Sequence, residues 1–339
     1  MPVFAPGDKA PRAVYEAAGI DMSEILFIKT SSLGDVIHHM PALTEARRRL
    51  SDARFSWVVE EAFAPLVRLH PAVSEVIPVA ARRWRERVWS PTTWDEIAHF
   101  VRVLRQRDYD AIVDTQGLFF KSALIARLAR GRRHGYDANS IRERAAAAFY
   151  CVRHEVPRNL HAIARNRMLT GRAFGYAPDG AIDFGISRDR LSDMAGPRYG
   201  IFLHATARPG KEWPEASWIA LGRSLRARSL PLVLPWGTEI ERTRAERIAA
   251  ALEDATVPER QALDGVARLI AGAAFVVGVD TGLLHLAAAL GVPLVAVFVG
   301  SEPGLTGPMG QGPIEIVGGK GQVPSVGNVL AALERVRRR

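Results

Sequence analysis

Three short segments combine residue types that can do chemistry. Residues 29–35 read Lys-Thr-Ser-Ser-Leu-Gly-Asp and directly follow an apolar run. Gly34 permits a tight turn, and a helix starting near Val36 would offer free N–H groups to an anion or a polarised hydroxyl. Asp35 closes the segment and has two readings, a helix cap or a general base at the mouth of a cleft. The segment has too few glycines for a Walker A loop or a Rossmann fingerprint. Residues 204–214 place Thr206 as a hydroxyl donor and Lys211 as a point charge beside Gly210, a combination suited to phosphate; the alternative is an ordinary polar loop anchored by Trp213. In the third segment a buried run ends in Asp280-Thr281-Gly282 and a helix follows at once, an arrangement whose N–H groups form an anion nest. His285 lies one turn further on, as a ligand contact or a structural helix histidine.

Two lesser segments complete the candidates. Glu241 follows Pro235-Trp236-Gly237-Thr238 and either accepts hydrogen bonds from ribose hydroxyls or is an exposed acid at a helix start. The turn Asp114-Thr115-Gln116-Gly117 with Lys121 either faces an acceptor or is a plain strand-to-helix turn with Lys121 in solvent.

The elements that must position these residues are legible as alternating patterns. Strands are expected at 25–29, 55–59, 76–79 and 109–114, separated by amphipathic stretches, and the pattern weakens between 157 and 198. A second series places strands at 200–204, 231–234, 275–279 and 293–297 with helices between them. Two doubly wound α/β domains follow, spanning residues 22–180 and 181–322, with an extension at 1–21 expected to be disordered and a helix within 323–339. In open parallel sheets ligands bind beyond the carboxyl ends of the strands, where all these segments fall.

Composition narrows the class. With 339 residues, 48% of them apolar, the chain can bury full cores. No apolar run approaches the ~20 residues needed to cross a bilayer, and the start lacks the pattern of a secretory signal. Cys151 is the one cysteine, which leaves no intramolecular disulfide and suits a reducing cytosol. A formal charge of +9 favours anionic partners. That charge concentrates at Arg82, Arg83, Arg85 and Arg87, at 130–133 and at 335–339, each run being either a binding surface or a solvated face.

Taken in order, Lys29 to Asp35, Asp114 to Gly117, His204-Ala205-Thr206 with Lys211-Glu212-Trp213-Pro214, Pro235-Trp236-Gly237, and Asp280-Thr281-Gly282 with His285 resemble glycosyltransferase family 9, the heptosyltransferases. The resemblance runs from about residue 25 to about 310. It implies a GT-B fold, two Rossmann-like domains facing across a cleft, with the C-terminal helix returning to the first. It implies inverting transfer of L-glycero-D-manno-heptose from ADP-heptose to the first Kdo of Kdo2-lipid A, with no metal or other cofactor required.

Asp35 falls at the family's catalytic base. Thr206, Lys211, Thr281, Gly282 and His285 fall at donor phosphate positions, and Asp280 and Glu241 at donor sugar and ribose contacts. In this frame Arg82, Arg83 and Arg85, with Gln116 and Lys121, become acceptor residues for phosphates and carboxylates. Trp84 and Trp89 would rest at the headgroup level, making a cytoplasmic monomer peripheral to the anionic inner leaflet of the inner membrane. Ala207 departs from the family, which has a hydroxyl there, and residues 258–263 align poorly at the adenine side.

Three rivals stand beside this reading: a family member that adds heptose to an already heptosylated acceptor, a catalytically silent sugar-nucleotide binder, and a nucleic-acid-binding protein motivated by charge alone. The last is set aside because the basic runs lack a recognised reading module.

Overall fold

The computed structural model describes residues 23–192, 199–206, 208–225 and 230–338; the extension at 1–21 and Ala207 lie outside them. The chain divides into two compact units between Gly185 and Ile186, five residues beyond the expected boundary.

In the first unit, β1 (Glu24–Ile28) leads to α1 (Leu33–Arg49), β2 (Arg54–Glu60) and β3 (Val73–Val79). Two helices follow, α2 (Ala81–Glu86) and α3 (Pro91–Leu104), then β4 (Asp108–Asp114), α4 (Leu124–Leu128), β5 (Arg130–Tyr136), β6 (Val152–His154) and α5 (Ala162–Phe174). The sheet is parallel throughout, in the order β3-β2-β1-β4-β5-β6. β1 lies between β2 and β4, and Ile25, Leu26, Phe27 and Ile28 are wholly buried, as a central strand covered on both faces requires. Helix α1 is preceded by its cap residue Ser32 and ends in Arg47, Arg48 and Arg49, charges that complement its dipole, and it packs on α5.

In the second unit, β7 (Gly200–Leu203) is followed by α6 (Glu215–Leu225), β8 (Leu232–Val233), α7 (Glu239–Ala250), β9 (Ala255–Thr256) and α8 (Leu263–Ala271). The remainder is β10 (Phe275–Val279), α9 (Gly282–Ala289), β11 (Leu294–Phe298), β12 (Ile314–Gly318) and α10 (Val326–Arg338). Its parallel sheet runs β12-β11-β10-β7-β8-β9. Read from the other edge, the two sheets repeat one order, with β7 and β10 in the places of β1 and β4. Each therefore reverses direction at one point, between β1 and β4 and between β7 and β10, where doubly wound sheets bind ligands.

The sequence reading expects eight strands, and the structure adds β5, β6, β9 and β12; β5 and the C-terminal helix differ from it most clearly. Residues 130–133, read as a basic run, begin strand β5: the arginines stay at the surface or half-buried while His134, Gly135 and Tyr136 are buried. Gly131 permits this pairing, because a Cβ there would stand 2.1 Å from the Tyr109 carbonyl oxygen where the β4–β5 register shifts. The C-terminal helix α10, expected to return to the first unit, belongs to the second, where it packs on β11, β12 and α6. Its Val329, Ala332, Leu333 and Val336 enter a core with Phe202, Trp213, Trp218 and Phe275, and its amphipathic stripe is satisfied there.

Candidate active site

At the first unit's reversal point the loop after β1 delivers Asp35 to the third position of α1. Its Oδ2 accepts from the Ser32 backbone N–H at 2.8 Å and from the Ser32 hydroxyl at 3.0 Å. The carboxylate is therefore a helix cap, as one reading held. Both bonds end on Oδ2, and among the described residues Oδ1 receives none, so a half-exposed, oriented oxygen stays available to take a proton. Capping and base chemistry are compatible because they use different atoms.

Beneath this loop lies a buried polar cluster. The Lys29 ammonium donates to the Thr115 carbonyl at 2.9 Å, and the Gln116 Oε1 accepts from the Ser31 N–H at 3.3 Å, so the loops after β1 and β4 are tied across the reversal point. Burial pushes the Lys29 ammonium below its ordinary range, and the carboxylates of Asp35 and Asp114 oppose that shift. Asp114 Oδ1 accepts from the N–H groups of Gln116 (2.8 Å) and Gly117 (3.1 Å), and Oδ2 from the Tyr150 hydroxyl (2.6 Å). Burial raises the Asp114 carboxyl while these donors pull it down. Burial and the adjacent Asp114 push the Tyr150 hydroxyl far up, which makes it a durable donor. Gly117 takes the left-handed conformation the turn needs, with φ 67°.

Beside the loop opens a cavity of 580 Å³ lined by Thr30, Ser31, Glu60, Arg82, Arg85, Lys121 and Arg142 among others. Three of the expected acceptor cations thus share one space, joined by Arg142, which sequence reasoning missed. Glu60, at the end of β2, accepts from the Arg82 N–H at 3.2 Å, and burial raises its carboxyl. Gln116 is not a lining residue of this cavity; it serves the loop tie instead.

Arg83 corrects the reading that groups it with Arg82 and Arg85. Its guanidinium bonds Glu61 at 3.1 Å and Glu96 at 2.7 Å, and it lines a different cavity. Trp84 is corrected too: its indole N–H donates to Glu96 at 2.7 Å and its ring packs edge-on against Phe100 at 5.6 Å. Trp89, by contrast, is 94% exposed, with Val88 and Trp94 also exposed nearby.

The second unit builds its site from three strand ends. After β7, Thr206 donates to the Asp280 carbonyl at 2.9 Å. Lys211 pairs with Asp280 Oδ2, an oxygen that also accepts from the Ser301 hydroxyl at 2.6 Å in the loop after β11. Burial works against the Asp280 charge, but the Lys211 ammonium and the Ser301 hydroxyl outweigh it and hold the carboxyl below its ordinary range. Gly300 seats the Lys211 loop, since a Cβ there would stand 2.2 Å from the Gly210 carbonyl oxygen. Trp213 is wholly buried and donates to the Pro324 carbonyl at 3.0 Å, so the anchor reading of that loop also holds.

Thr281 precedes the first turn of α9 in extended conformation, and Gly282 begins it, which leaves helix-start N–H groups at the strand end. His285 is buried one turn along, close enough to be among the groups that lower the Asp280 carboxyl. Glu241 stands apart from this group: its Oε2 accepts from the N–H groups of Gly237 (2.7 Å) and Thr238 (3.2 Å), a capping box at the start of α7. The helix-start reading is realised there, with Oε1 outside the box.

Residues 97–329 match the profile of glycosyltransferase family 9 (heptosyltransferase). The chain is 44% identical over 294 residues to lipopolysaccharide heptosyltransferase 1 of Pseudomonas aeruginosa, covering 86% of this chain and 83% of that protein. It is similar to the structure of E. coli heptosyltransferase WaaC with ADP, with a TM-score of 0.87 and 39% identity over 92% of this chain and 99% of that one. A structure of the same E. coli protein with ADP-2-deoxy-2-fluoro heptose gives 0.84 and 38%, with the same shares of the two chains covered.

Proposed function

The chain belongs to glycosyltransferase family 9 and is a glycosyltransferase, and from that premise we propose that it moves L-glycero-D-manno-heptose from ADP-heptose to the first Kdo of Kdo2-lipid A, with inversion. The observation that carries this reading is the pairing of two reversal points with different equipment. One holds an oriented carboxylate beside a cationic cavity, and the other holds a lysine, hydroxyls and a helix start.

The acceptor's phosphates and carboxylate are taken by Arg82, Arg85, Lys121 and Arg142. Its hydroxyl oxygen attacks the anomeric carbon on the face opposite the diphosphate, and the proton passes to Asp35 Oδ1. The bond from the anomeric carbon to the phosphate oxygen breaks, and ADP leaves with the electron pair. Lys211, Thr206 and the N–H groups at Thr281 and Gly282 meet the charge that develops on the diphosphate, in the role a metal ion plays in other transferases. Asp280 and Glu241 Oε1 contact sugar and ribose, with His285 behind the diphosphate. The enzyme works as a monomer in the cytoplasm, resting on the anionic inner leaflet through Trp89, Val88 and Trp94 beside Arg85 and Arg87.

The test is ADP release from ADP-heptose with Kdo2-lipid A and, in parallel, with an already heptosylated acceptor, in EDTA. Release with Kdo2-lipid A alone, giving an inverted glycosidic bond by NMR, is expected. Release with the heptosylated acceptor alone would transfer the assignment to the second heptose addition, and donor binding without release to either would leave a sugar-nucleotide binder.

A further inference from the structure

The phosphate-binding lysine already has an anionic partner. Lys211 is paired with Asp280, and the two side chains keep 20% and 19% of their surface exposed, so a ligand arriving from solvent can reach the pair. A diphosphate that engages Lys211 competes with Asp280 for its ammonium. What becomes of Asp280 is written into its surroundings. Ser301 donates to the same Oδ2 at 2.6 Å, and Thr206 fixes the Asp280 main chain by donating to its carbonyl at 2.9 Å. When Lys211 leaves, the carboxylate keeps a donor and its place.

We propose that Asp280 is an internal competitor for Lys211, which exchanges between Asp280 and the donor diphosphate, and that Ser301 is the positioning residue that holds Asp280 during the exchange. The inference rests on the reading of Lys211 as a diphosphate contact. Its consequence concerns the product. Once the sugar has gone, ADP keeps its contacts to Lys211 but faces an anion poised to reclaim that cation. The pair thus opposes tight retention of the leaving group, which a reusable site requires. Asp280 has a second use in this account, as a donor sugar contact, so ADP alone is the probe that isolates the exchange.

The experiment is calorimetric titration of ADP into the full-length protein and into Asp280→Asn, Lys211→Met and the double variant. Asp280→Asn keeps an acceptor for Ser301 while removing the charge, and ADP should bind roughly fivefold tighter, the size expected of a modest ion pair. Lys211→Met should weaken ADP, and in that background Asp280→Asn should add no tightening. Unchanged or weaker ADP binding in Asp280→Asn, or tightening that persists without Lys211, overturns the exchange. If Lys211→Met leaves ADP affinity unchanged, the diphosphate reading itself fails, a separate result. A structure of the unaltered protein with ADP makes the same test without a variant: Lys211 Nζ should lie on a phosphate oxygen and beyond ion-pair distance of Asp280, and finding it still on Asp280 contradicts the proposal.

Discussion

The two reversal points share a topology and differ in how their charges are held. In the first unit Asp114 is wholly buried and fully engaged by Tyr150, Gln116 and Gly117, Lys29 is buried on the Thr115 carbonyl, and Asp35 is clamped through one oxygen. In the second unit the central charges, Lys211 and Asp280, form a partly exposed pair. A base must be in one place when the acceptor arrives, whereas a diphosphate must be both gripped and released. One sheet order supports either demand, and the loops decide which.

The sharpest way to break this contrast is to remove the clamped carboxylate. Asp35→Ala should lower turnover about 10³-fold, the usual scale for a positioned general base. Removing the support beneath it comes next. Asp114→Ala strands the Tyr150 hydroxyl and two N–H groups in the interior and should cost about 3 kcal/mol in a urea melt. Asp280→Asn, in the exchangeable pair, should cost under about 1 kcal/mol in the same assay. Equal losses would erase the distinction between a fixed and a mobile site.

Acid offers a finer contrast between the units. In the first, burial holds His39 well below the ordinary imidazole range, His70 and His154 at about 4 and His134 at about 3; in the second, His204 is held at about 4. Each is neutral when folded and binds a proton on unfolding once the pH falls below about 6.5, so the stability it contributes is complete above that value. The loss is on the order of 1 kcal/mol per pH unit per histidine as the pH falls towards 4. Amide exchange should therefore accelerate in β1 and β4 before β7 and β10, and the reverse order would contradict this balance.

The smallest effect separates neighbours within α2. Arg82→Ala or Arg85→Ala should raise the acceptor KM roughly tenfold, as loss of a charged hydrogen bond does. Arg83→Ala should leave the acceptor KM near its original value and lower the melting temperature, and matching KM effects from all three would return Arg83 to the cavity.

Much of this was legible in the sequence, for identifiable reasons. β1, β7, β10 and β11 are apolar runs ended by small polar residues, so both the doubly wound architecture and the site loops followed from pattern alone. β5 was hidden because its arginines belong to an exposed half of a strand that pairing with β4 enforces. The stripe on α10 says which face is buried but not against which sheet. Arg82 and Arg83 are adjacent letters, yet successive helical residues point about 100° apart. The partners of Arg83, Glu61 and Glu96, come from elsewhere in the fold. Ser301 sits in an unremarkable Gly-Ser-Glu-Pro stretch, and its one signal was position: the end of the strand beside β10.

The proposed division of labour puts base and acceptor on the first unit and donor on the second. Calorimetric titration of ADP-heptose into Asp35→Ala, followed by addition of Kdo2-lipid A, separates the two roles. Donor affinity should equal that of the unaltered protein, with almost no ADP release on adding acceptor. Weakened donor binding, or release at the original rate, would contradict it.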